Sequence, residues 1–518
     1  MITALKRRRT QLITLAALIV FFLIAMRGME TQDWMITVLR GLAVAAVTFL
    51  VASGFSLIFG LMDVLNLAHG TLFMIGAYIG WTMYLRPDTV VDLATPAALL
   101  AAGLVLAPVF QTVLGRVNLA RPILRVLPWA AVFFSVLLLF FSLPRFPITA
   151  WDAQAYEQSP VIFGVQLEQG TLTLPEPVQA DATWLVASAA GLWLAGLLLA
   201  LALAAFARRR RAARAKAQSP RRPVILAIIL TIAALGVFAA NGFLTQLFLD
   251  MGTTARFLVA MLVAPLAGAG LGALIEMSLI RPLYARPIYQ LMLTLGLGVV
   301  GREVVIAIWG RTQLTMPKPA LFNAIGKGCP AADIGNWLAT GCSTISFMGS
   351  RIRTYNEMFV ILVGVVVLIA VSLLLKRSRV GMVIRAGVQD REMVEALGTN
   401  VRRVFTFVFA LGVGLAALGG VLAAPAFGLS DNMGESLLLS ALIALAIGGL
   451  TSFPGAAAGS LLVGLLQQFI VQYGQIGIAL PFLAQPFKPT PPLVPASTLL
   501  LMIIILLAMP QGLFGRKD

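Results

Sequence analysis

The chain has 518 residues, of which 59% are hydrophobic and 11% charged, and its mean hydropathy is +0.94. Soluble domains carry about 25% charged residues, so this composition excludes a water-soluble globular protein and indicates an integral membrane protein. The 38 Lys and Arg residues outnumber the 21 Asp and Glu residues. Basic residues gather in the cytoplasmic loops of membrane proteins, and no basic stretch here is interleaved with aromatic residues, so nucleic acid is excluded as a partner.

Apolar stretches with few charges predict an all-α, polytopic transmembrane bundle of about fourteen spans. They fall at 10–26, 41–60, 64–85, 93–115, 126–143, 184–207, 223–249, 257–280, 288–310, 357–375, 404–427, 437–452, 456–472 and 497–510. The first stretch resembles a signal peptide, but no A-x-A-like cleavage site follows it, so we expect an uncleaved span.

The distribution of charge predicts the orientation. If the N-terminus is cytoplasmic and every stretch crosses, 26 of the 38 basic residues and only 6 of the 21 acidic residues lie inside. A shift by one helix would invert this asymmetry. Both termini are therefore expected in the cytoplasm.

Two turns on the expected cytoplasmic side lack Lys and Arg. The first has a polar centre at Asn66, His69 and Gly70, and the second contains Gly448, Gly449, Pro454 and Gly455. Paired interruptions in the two halves of a transporter indicate broken helices beside a translocation path. Ordinary tight helical hairpins explain the same pattern, and both interpretations stay open. For His69, a neutral imidazole bonded to a backbone carbonyl competes with a substrate contact.

The cysteines lie in a large outer loop at 311–356. Cys329 and Cys342 are close enough in sequence to close a small disulfide loop, although two free thiols are the alternative. With a single histidine, His69, they cannot form a four-ligand metal site. We therefore expect no metal and no catalytic residues in this chain.

The inner loop at 376–404 is too long for a bare turn and too polar for a span. Its apolar residues are spaced along one side of a short helix, and Gly398 is placed to end that helix. Such a helix either lies on the lipid surface or acts as a rigid lever that docks into a soluble partner.

No carboxylate is expected near the middle of the membrane, where an ion-coupled transporter would need one. Glu276 lies near a helix end, and the adjacent Arg302 and Glu303 do not face each other on a helix. No G-x-x-x-x-G-K-[ST] phosphate-binding loop occurs either. The driving force should therefore come from another polypeptide.

Several blocks together resemble one family. They are GFSLIFGLMDVLNLAHGTLFMIGAY from residue 54, IEMSLIRPLYARPIYQLMLTLGLG from 275, RVGMVIRAGVQDREMVEALGTNVRRV from 379, ALGGVLAAP from 417, ALIALAIGGLTSFPGAAAGSLLVGLLQQF from 441 and MPQGLFG from 509. In this order they resemble the membrane permeases of high-affinity branched-chain amino-acid ABC transporters, whose relatives import urea and short amides.

The resemblance implies a permease subunit that does no covalent chemistry and binds no cofactor, while partner subunits use ATP and Mg²⁺. Expected partners are a second homologous permease, identical or different, two cytoplasmic ATPase subunits, a periplasmic or extracellular substrate-binding protein and the lipid bilayer. The loop at 376–404 then resembles the coupling helix that enters the ATPase. Its expected coupling residues are Arg385, Asp390, Glu395, Ala396, Leu397 and Gly398.

The chain departs from the family in its middle. We expect N-terminal spans at 1–85, an insertion of about four extra spans at 86–250 with an acidic outer loop and an Arg-rich inner loop, and a permease core at 251–518. An even number of extra spans keeps every later helix in its family orientation.

The predicted function is import of branched-chain or other small hydrophobic amino acids across the bacterial plasma (inner) membrane. One alternative changes the cargo to urea or a short amide. Another, from a different class, is an ion-coupled secondary transporter that needs no ATPase.

Overall fold

The computed structural model describes residues 20, 29–117, 120–147, 166, 169, 171, 181–210, 221–284, 286–326, 328–389, 391–396, 398, 401–478 and 485–515. The chain divides into two compact units. The first unit comprises Met1–Trp81 and Phe257–Asp518, and the second unit comprises Thr82–Arg256.

The helices are, in chain order, α1 Thr31–Met62, α2 His69–Leu85, α3 Pro87–Leu104, α4 Ala107–Arg116, α5 Arg121–Ser142, α6 Ala182–Arg210, α7 Arg221–Ala239, α8 Asn241–Asp250, α9 Thr253–Ile275, α10 Pro287–Trp309, α11 Ile334–Thr340, α12 Val360–Arg377, α13 Arg379–Gln389, α14 Arg391–Ala396, α15 Val401–Phe427, α16 Met433–Gly448, α17 Phe453–Ile476 and α18 Leu493–Ala508. A hairpin of β1 Thr344–Phe347 and β2 Ser350–Arg353 lies between α11 and α12.

Ten helical segments of the described chain are long and apolar enough to cross a membrane, and Met433–Gly448 and Leu493–Ala508 are shorter apolar helices. The expectation of a polytopic helical membrane protein is therefore confirmed, whereas the count of fourteen spans is not. The stretch at 10–26 lies outside the described residues apart from Val20. The stretch at 223–249 divides into α7 and α8.

The centre of the first unit is the pair α1 and α15, whose apolar windows are 72% and 78% buried. Their backbones touch at two glycines. A Cβ on Gly54 would lie 2.3 Å from the carbonyl oxygen of Gly412, and one on Gly412 would lie 2.7 Å from that of Gly54. Small residues allow helices to approach this closely in membranes, where packing rather than water drives association.

Helix α2 runs in the same direction as α15. A Cβ on Gly76 would meet Ala417, and one on Gly80 would meet Val421, so the contacts advance together along both helices. Helix α1 is antiparallel to both, because Gly419 contacts Leu50 while Gly412 contacts Gly54.

Helices α16 and α17 form an antiparallel hairpin. Gly459 packs on Ala444, and Gly455 packs on Gly448 next to the turn. Helix α17 is in turn antiparallel to α1, since the Phe453 ring lies 5.6 Å from that of Phe49 and Gly464 packs on Gly41 further along. Helix α16 therefore points in the same direction as α1 and opposite to α2.

Residues 310–326 and 328–353 form a cap at one end of the first unit, which we call the disulfide end. Cys329 and Cys342 are bonded there, with Cα atoms 5.6 Å apart. The Asp333 side chain caps α11 by accepting a hydrogen bond from the Asn336 amide at 2.7 Å. The β-hairpin in this cap corrects the all-α expectation, because its four-residue strands are too short for a sequence pattern to reveal.

The second unit packs α3, α5, α6 and α7 together. Gly103 and Gly196 let α3 and α6 touch, and the Ser135 hydroxyl of α5 donates to the Ala195 carbonyl of α6 at 2.9 Å. Arg86 and Asp88 form a buried ion pair at 2.8 Å. The interpretation of residues 86–250 as an insertion stays a prediction.

Candidate functional site

The first signature turn is a break between α1 and α2. Helix α1 ends at Met62, and Asp63 adopts the left-handed conformation that ends helices, with φ 53°. The chain then runs without helical structure until His69, whose amide donates to the Asn66 carbonyl at 3.1 Å.

The break lies deep in the bundle. The His69 imidazole Nε2 is 3.1 Å from the carbonyl oxygen of Val51. Val51 is the midpoint of the charge-free stretch 41–62 and lies eleven residues, about 16 Å, before the end of α1. After α1 ends, the chain therefore returns through about half the thickness of the hydrocarbon before α2 begins. The prediction of a helical span from residue 64 was wrong at its start, because α2 begins at His69.

Helix α10 supplies the hydrogen bonds that the broken backbone needs. The Thr294 hydroxyl donates to the Leu65 carbonyl at 3.1 Å and is 3.3 Å from the Leu67 amide, which donates to it. The Thr71 hydroxyl donates to the Gly298 carbonyl at 3.2 Å. Irregular backbone at membrane depth is tolerated only when protein or water satisfies it in this way.

Two polar side chains in the break are completely buried but incompletely bonded. Neither the Asn66 amide oxygen nor its nitrogen has a hydrogen-bond partner among the described residues, and the same holds for His69 Nδ1. Buried polar atoms without partners are rare in folded proteins and need an explanation.

The first turn of α2 touches the first turn of α16. A Cβ on Gly70 would lie 2.3 Å from the Gly434 carbonyl oxygen, and one on Gly434 would lie 2.4 Å from that of Gly70. Because α2 and α16 point in opposite directions, their N-termini meet here. We call this contact the glycine junction.

A second break therefore precedes α16, at residues 428–432, and the hydropathy pattern gave no sign of it. This segment carries Asp431, which forms an ion pair with Arg302 of α10 at 2.8 Å. Glu435, in the first turn of α16, lies 3.7 Å from the same guanidinium. A Cβ on Gly301 would contact Thr71, so Arg302 lies about one helical turn from the depth of the junction.

This charged cluster is open to its surroundings within the described chain. The side chains of Arg302, Asp431 and Glu435 are 37%, 22% and 70% exposed. Arg302 lies seven residues, about 10 Å, before the end of α10 at the disulfide end, and charged groups within spanning segments rarely face lipid. This face must meet water or another protein chain.

The second predicted turn has a different structure. Gly448 and Gly455 pack backbone to backbone, and Ser452 caps α17 by accepting from the Gly455 amide at 3.1 Å. The C-terminal segment closes the turn, since the Phe514 amide donates to the Gly448 carbonyl at 2.9 Å. Gly449, with φ 110°, contacts the same segment, and Pro454 lies in the first turn of α17. These four positions are thus held in a compact hairpin turn.

The predicted coupling segment forms α13 and α14. The Ser378 hydroxyl caps α13 by accepting from the Gly381 amide at 2.9 Å. Ile384 of α13 and Val394 of α14 are buried in the same hydrophobic cluster as Leu61 of α1. The two short helices are therefore fixed to the end of α1, opposite the disulfide end.

The other side of this segment is exposed. Met382 and Met393 are 62% and 58% exposed, and Ala396 is exposed as well. Gly398 follows with φ +82° and no atom near its Cβ position. Arg385 donates to the Lys376 carbonyl at 3.3 Å. Of the remaining predicted coupling residues, Asp390, Leu397 and the Glu395 side chain lie outside the described residues.

A buried polar cluster connects α9 to the start of α15. A π-helical turn at Glu276–Ile280 places Glu276 and Arg281, five residues apart, on one side, where they form an ion pair at 2.8 Å. The Thr406 hydroxyl of α15 donates to Glu276 at 2.7 Å, and the Tyr284 hydroxyl donates to the same carboxylate. The π turn thus explains the spacing in the sequence block IEMSLIRPL.

These features define a multi-pass membrane protein of the transport-permease class, with helix breaks inside the bundle and a short helical pair at one end. The chain belongs to the family described as branched-chain amino acid transport system, permease component, whose model matches residues 224–510. The resemblance inferred from the sequence blocks is thereby confirmed.

Individual relatives are also named as permeases. The chain is 26% identical over 266 residues to the high-affinity branched-chain amino acid transport system permease protein LivH of Salmonella typhimurium, covering 51% of this chain and 75% of the relative. It is 30% identical over 185 residues to BraD of Pseudomonas aeruginosa, a protein of the same description, covering 33% and 52%. It is also 27% identical over 120 residues to the fructose import permease FruF of Bifidobacterium longum, covering 22% and 34%. No solved structure matches the chain.

Proposed function

We propose that this permease carries branched-chain or other small hydrophobic amino acids into a bacterial cell as one subunit of an ABC importer. Its membership of the permease family supports this proposal, and two of the relatives above are named as branched-chain amino acid permeases. The chain would bind no cofactor and catalyse no covalent chemistry. ATP and Mg²⁺ would be used by two cytoplasmic ATPase subunits.

The glycine junction is the proposed moving part of the translocation path. Discontinuous helices that meet near the middle of the bilayer are typical of transporter binding sites. Here the N-termini of α2 and α16 meet at Gly70 and Gly434, with Asn66 and His69 immediately before them. Helix α1 leads into α2, and α15 leads into α16. Small relative shifts of α1 and α15 would therefore open or close the contact of Gly70 with Gly434, where backbone atoms touch without intervening side chains.

The segment α13–α14 is the proposed link to the ATPase. Its buried side is anchored to α1, since a Cβ on Gly387 would lie 3.1 Å from Leu61, and α14 leads directly into α15. The exposed Met382 and Met393 side chains offer flexible apolar contacts to a cleft on the partner. Closure of the ATPases would thus move the ends of the two helices that cross at Gly54 and Gly412.

The remaining partners follow from this assignment. A second homologous permease would complete the path, and a periplasmic or extracellular binding protein would deliver the substrate to the disulfide end. The end with α13 and α14 would face the cytoplasm together with both termini, as the excess of Lys and Arg in the assigned inner loops favours. The membrane would be the bacterial plasma (inner) membrane.

The coupling assignment can be tested with two glycines that share a positive φ. Gly398 and Gly310 both have φ +82° and open space at the Cβ position, so valine at either one strains the backbone without a steric clash. Gly398→Val is expected to insert normally while ATPase copurification and leucine uptake fall together. Gly310→Val, at the disulfide end of α10, should retain both. Equal uptake in the two variants would count against the coupling role.

The substrate assignment is tested on the binding protein. Purified binding protein is heated with leucine, with urea or with fructose, and the shift in its Tm is measured. We expect stabilisation by leucine alone. Stabilisation by urea or fructose without a response to leucine would replace the proposed cargo.

A further inference from the structure

The cluster of Arg302, Asp431 and Glu435 is not explained as a structural ion pair alone. Arg302 donates to Asp431 through Nη2, but its Nη1 is 3.7 Å from Glu435, beyond hydrogen-bond distance. The buried Arg302 Nε has no acceptor among the described residues. The cluster thus has an unused guanidinium donor and a loosely held carboxylate that is 70% exposed.

The cluster presents groups of both signs. One guanidinium faces two carboxylates, and it is hydrogen-bonded to only one of them. A complementary ligand carries an anionic group for the guanidinium and a cationic group for the carboxylates. A free amino acid has this property, because its α-carboxylate and α-ammonium groups are separated by a single carbon atom.

We propose that Arg302, Asp431 and Glu435 bind the zwitterionic head group of an amino acid during translocation. The guanidinium of Arg302 pairs with the substrate carboxylate, for which planar bidentate geometry is well suited. Glu435, with Asp431 beside it, pairs with the ammonium group. This inference rests on the proposed function, and it assigns the site that recognises the substrate within the permease.

The surroundings fit the rest of a leucine-like substrate. Leu439 lies one helical turn beyond Glu435 on α16 and is 49% exposed, so it offers an apolar surface on the same face. The neighbouring backbone contact is the glycine junction at Gly70 and Gly434. A head group bound by Arg302 and Glu435 would thus bridge α16 and α10, and α10 packs on α2 where Gly301 meets Thr71.

The competing explanation is that the cluster forms salt bridges to the second permease. The two explanations are distinguished by neutralising both members of the Arg302–Asp431 pair, so that neither member keeps an unpaired charge. Arg302→Gln removes the guanidinium but leaves Asp431 unpaired, whereas Arg302→Gln with Asp431→Asn replaces the pair by two neutral amides. A structural pair tolerates the double change, and a substrate site does not.

The experiment measures uptake of radiolabelled leucine by cells that produce the complete importer, together with copurification of the subunits and basal ATPase activity. We expect Arg302→Gln and the double variant to lose uptake by about ten-fold or more, since each lacks a charge-assisted bond to the substrate. Arg302→Lys should retain part of the uptake because it keeps the charge. Subunit assembly and basal ATPase activity should be unchanged.

Glu303→Gln is the matched control, because Glu303 is an exposed carboxylate adjacent to Arg302 on another face of α10, and its uptake should stay within about two-fold of the wild type. Recovery of uptake in the double variant, or loss of the second permease from the purified complex, would overturn the proposal. Failure of the wild type to take up any amino acid would instead refute the proposed function.

Discussion

Replacement of Gly70 by alanine tests the glycine junction. The new Cβ would lie 2.3 Å from the Gly434 carbonyl oxygen and 2.8 Å from the Leu438 Cβ, so α2 and α16 would have to separate by about 1 Å. Overpacking of this kind costs about 1–3 kcal/mol. Helix propensity offsets part of this cost, because alanine is favoured over glycine by about 1 kcal/mol within helices.

Gly296→Ala provides the control, because Gly296 is also helical but has open space at its Cβ position. Thermal unfolding of the detergent-purified chain should show a lower Tm for Gly70→Ala and an unchanged or higher Tm for Gly296→Ala. Leucine uptake by the assembled importer should fall for Gly70→Ala only. Equal Tm and equal uptake in the two variants would refute the close contact of α2 and α16.

Three further substitutions probe other parts of the chain. Glu276→Gln should lower the stability by about 1–3 kcal/mol, because it weakens the bonds to Arg281 and Thr406. The control Glu303→Gln, measured by the same thermal unfolding, should change the stability by less than about 0.5 kcal/mol. Equal Tm values for the two variants would contradict this prediction. Asn66→Leu should leave Tm unchanged or raised, because it removes an unpaired buried amide, yet it should reduce leucine uptake. The control Thr48→Val, which removes an unpaired buried hydroxyl, should leave both Tm and uptake unchanged. A fall in Tm together with uptake for Asn66→Leu would indicate that Asn66 is purely structural. Burial, together with the nearby Arg353, lowers the pKa of Lys318 in the disulfide cap. The charged form of Lys318 therefore destabilises the folded state at neutral pH. This penalty disappears as the pH rises from the pKa of the folded state to that of the unfolded state. Lys318→Met should therefore raise Tm at pH 7 and make little difference above pH ~10.5; a lower Tm at pH 7 would contradict this sign.

Most of the bundle follows from the sequence because hydrophobic length determines where a chain can cross a membrane. The stretches at 41–60 and 404–427, for example, lie within α1 and α15. The polar centre at Asn66, His69 and Gly70 also indicated an unusual turn. Its depth was not predictable, because four of the six residues at 63–68 are apolar and hydropathy does not distinguish extended from helical backbone.

The second break and the charged cluster were missed for a related reason. Arg302 and Asp431 are separated by 129 residues, and only the packing of α10 beside α2 and α16 brings them together. The sequence showed correctly that Arg302 and Glu303 would not pair, but it did not indicate Asp431 as the partner of Arg302. The bond between Glu276 and Arg281 depends on a π-helical turn, which no regular helical period would reveal.

The claim that this chain is a permease driven by a partner's ATP hydrolysis is tested most directly in proteoliposomes. Leucine uptake is measured for the purified chain alone under proton and sodium gradients, and for the complex with its second permease, ATPase subunits and binding protein. We predict uptake only in the complex, with ATP and Mg²⁺ present on the ATPase side. Uptake by the chain alone under an ion gradient, without nucleotide, would contradict this claim.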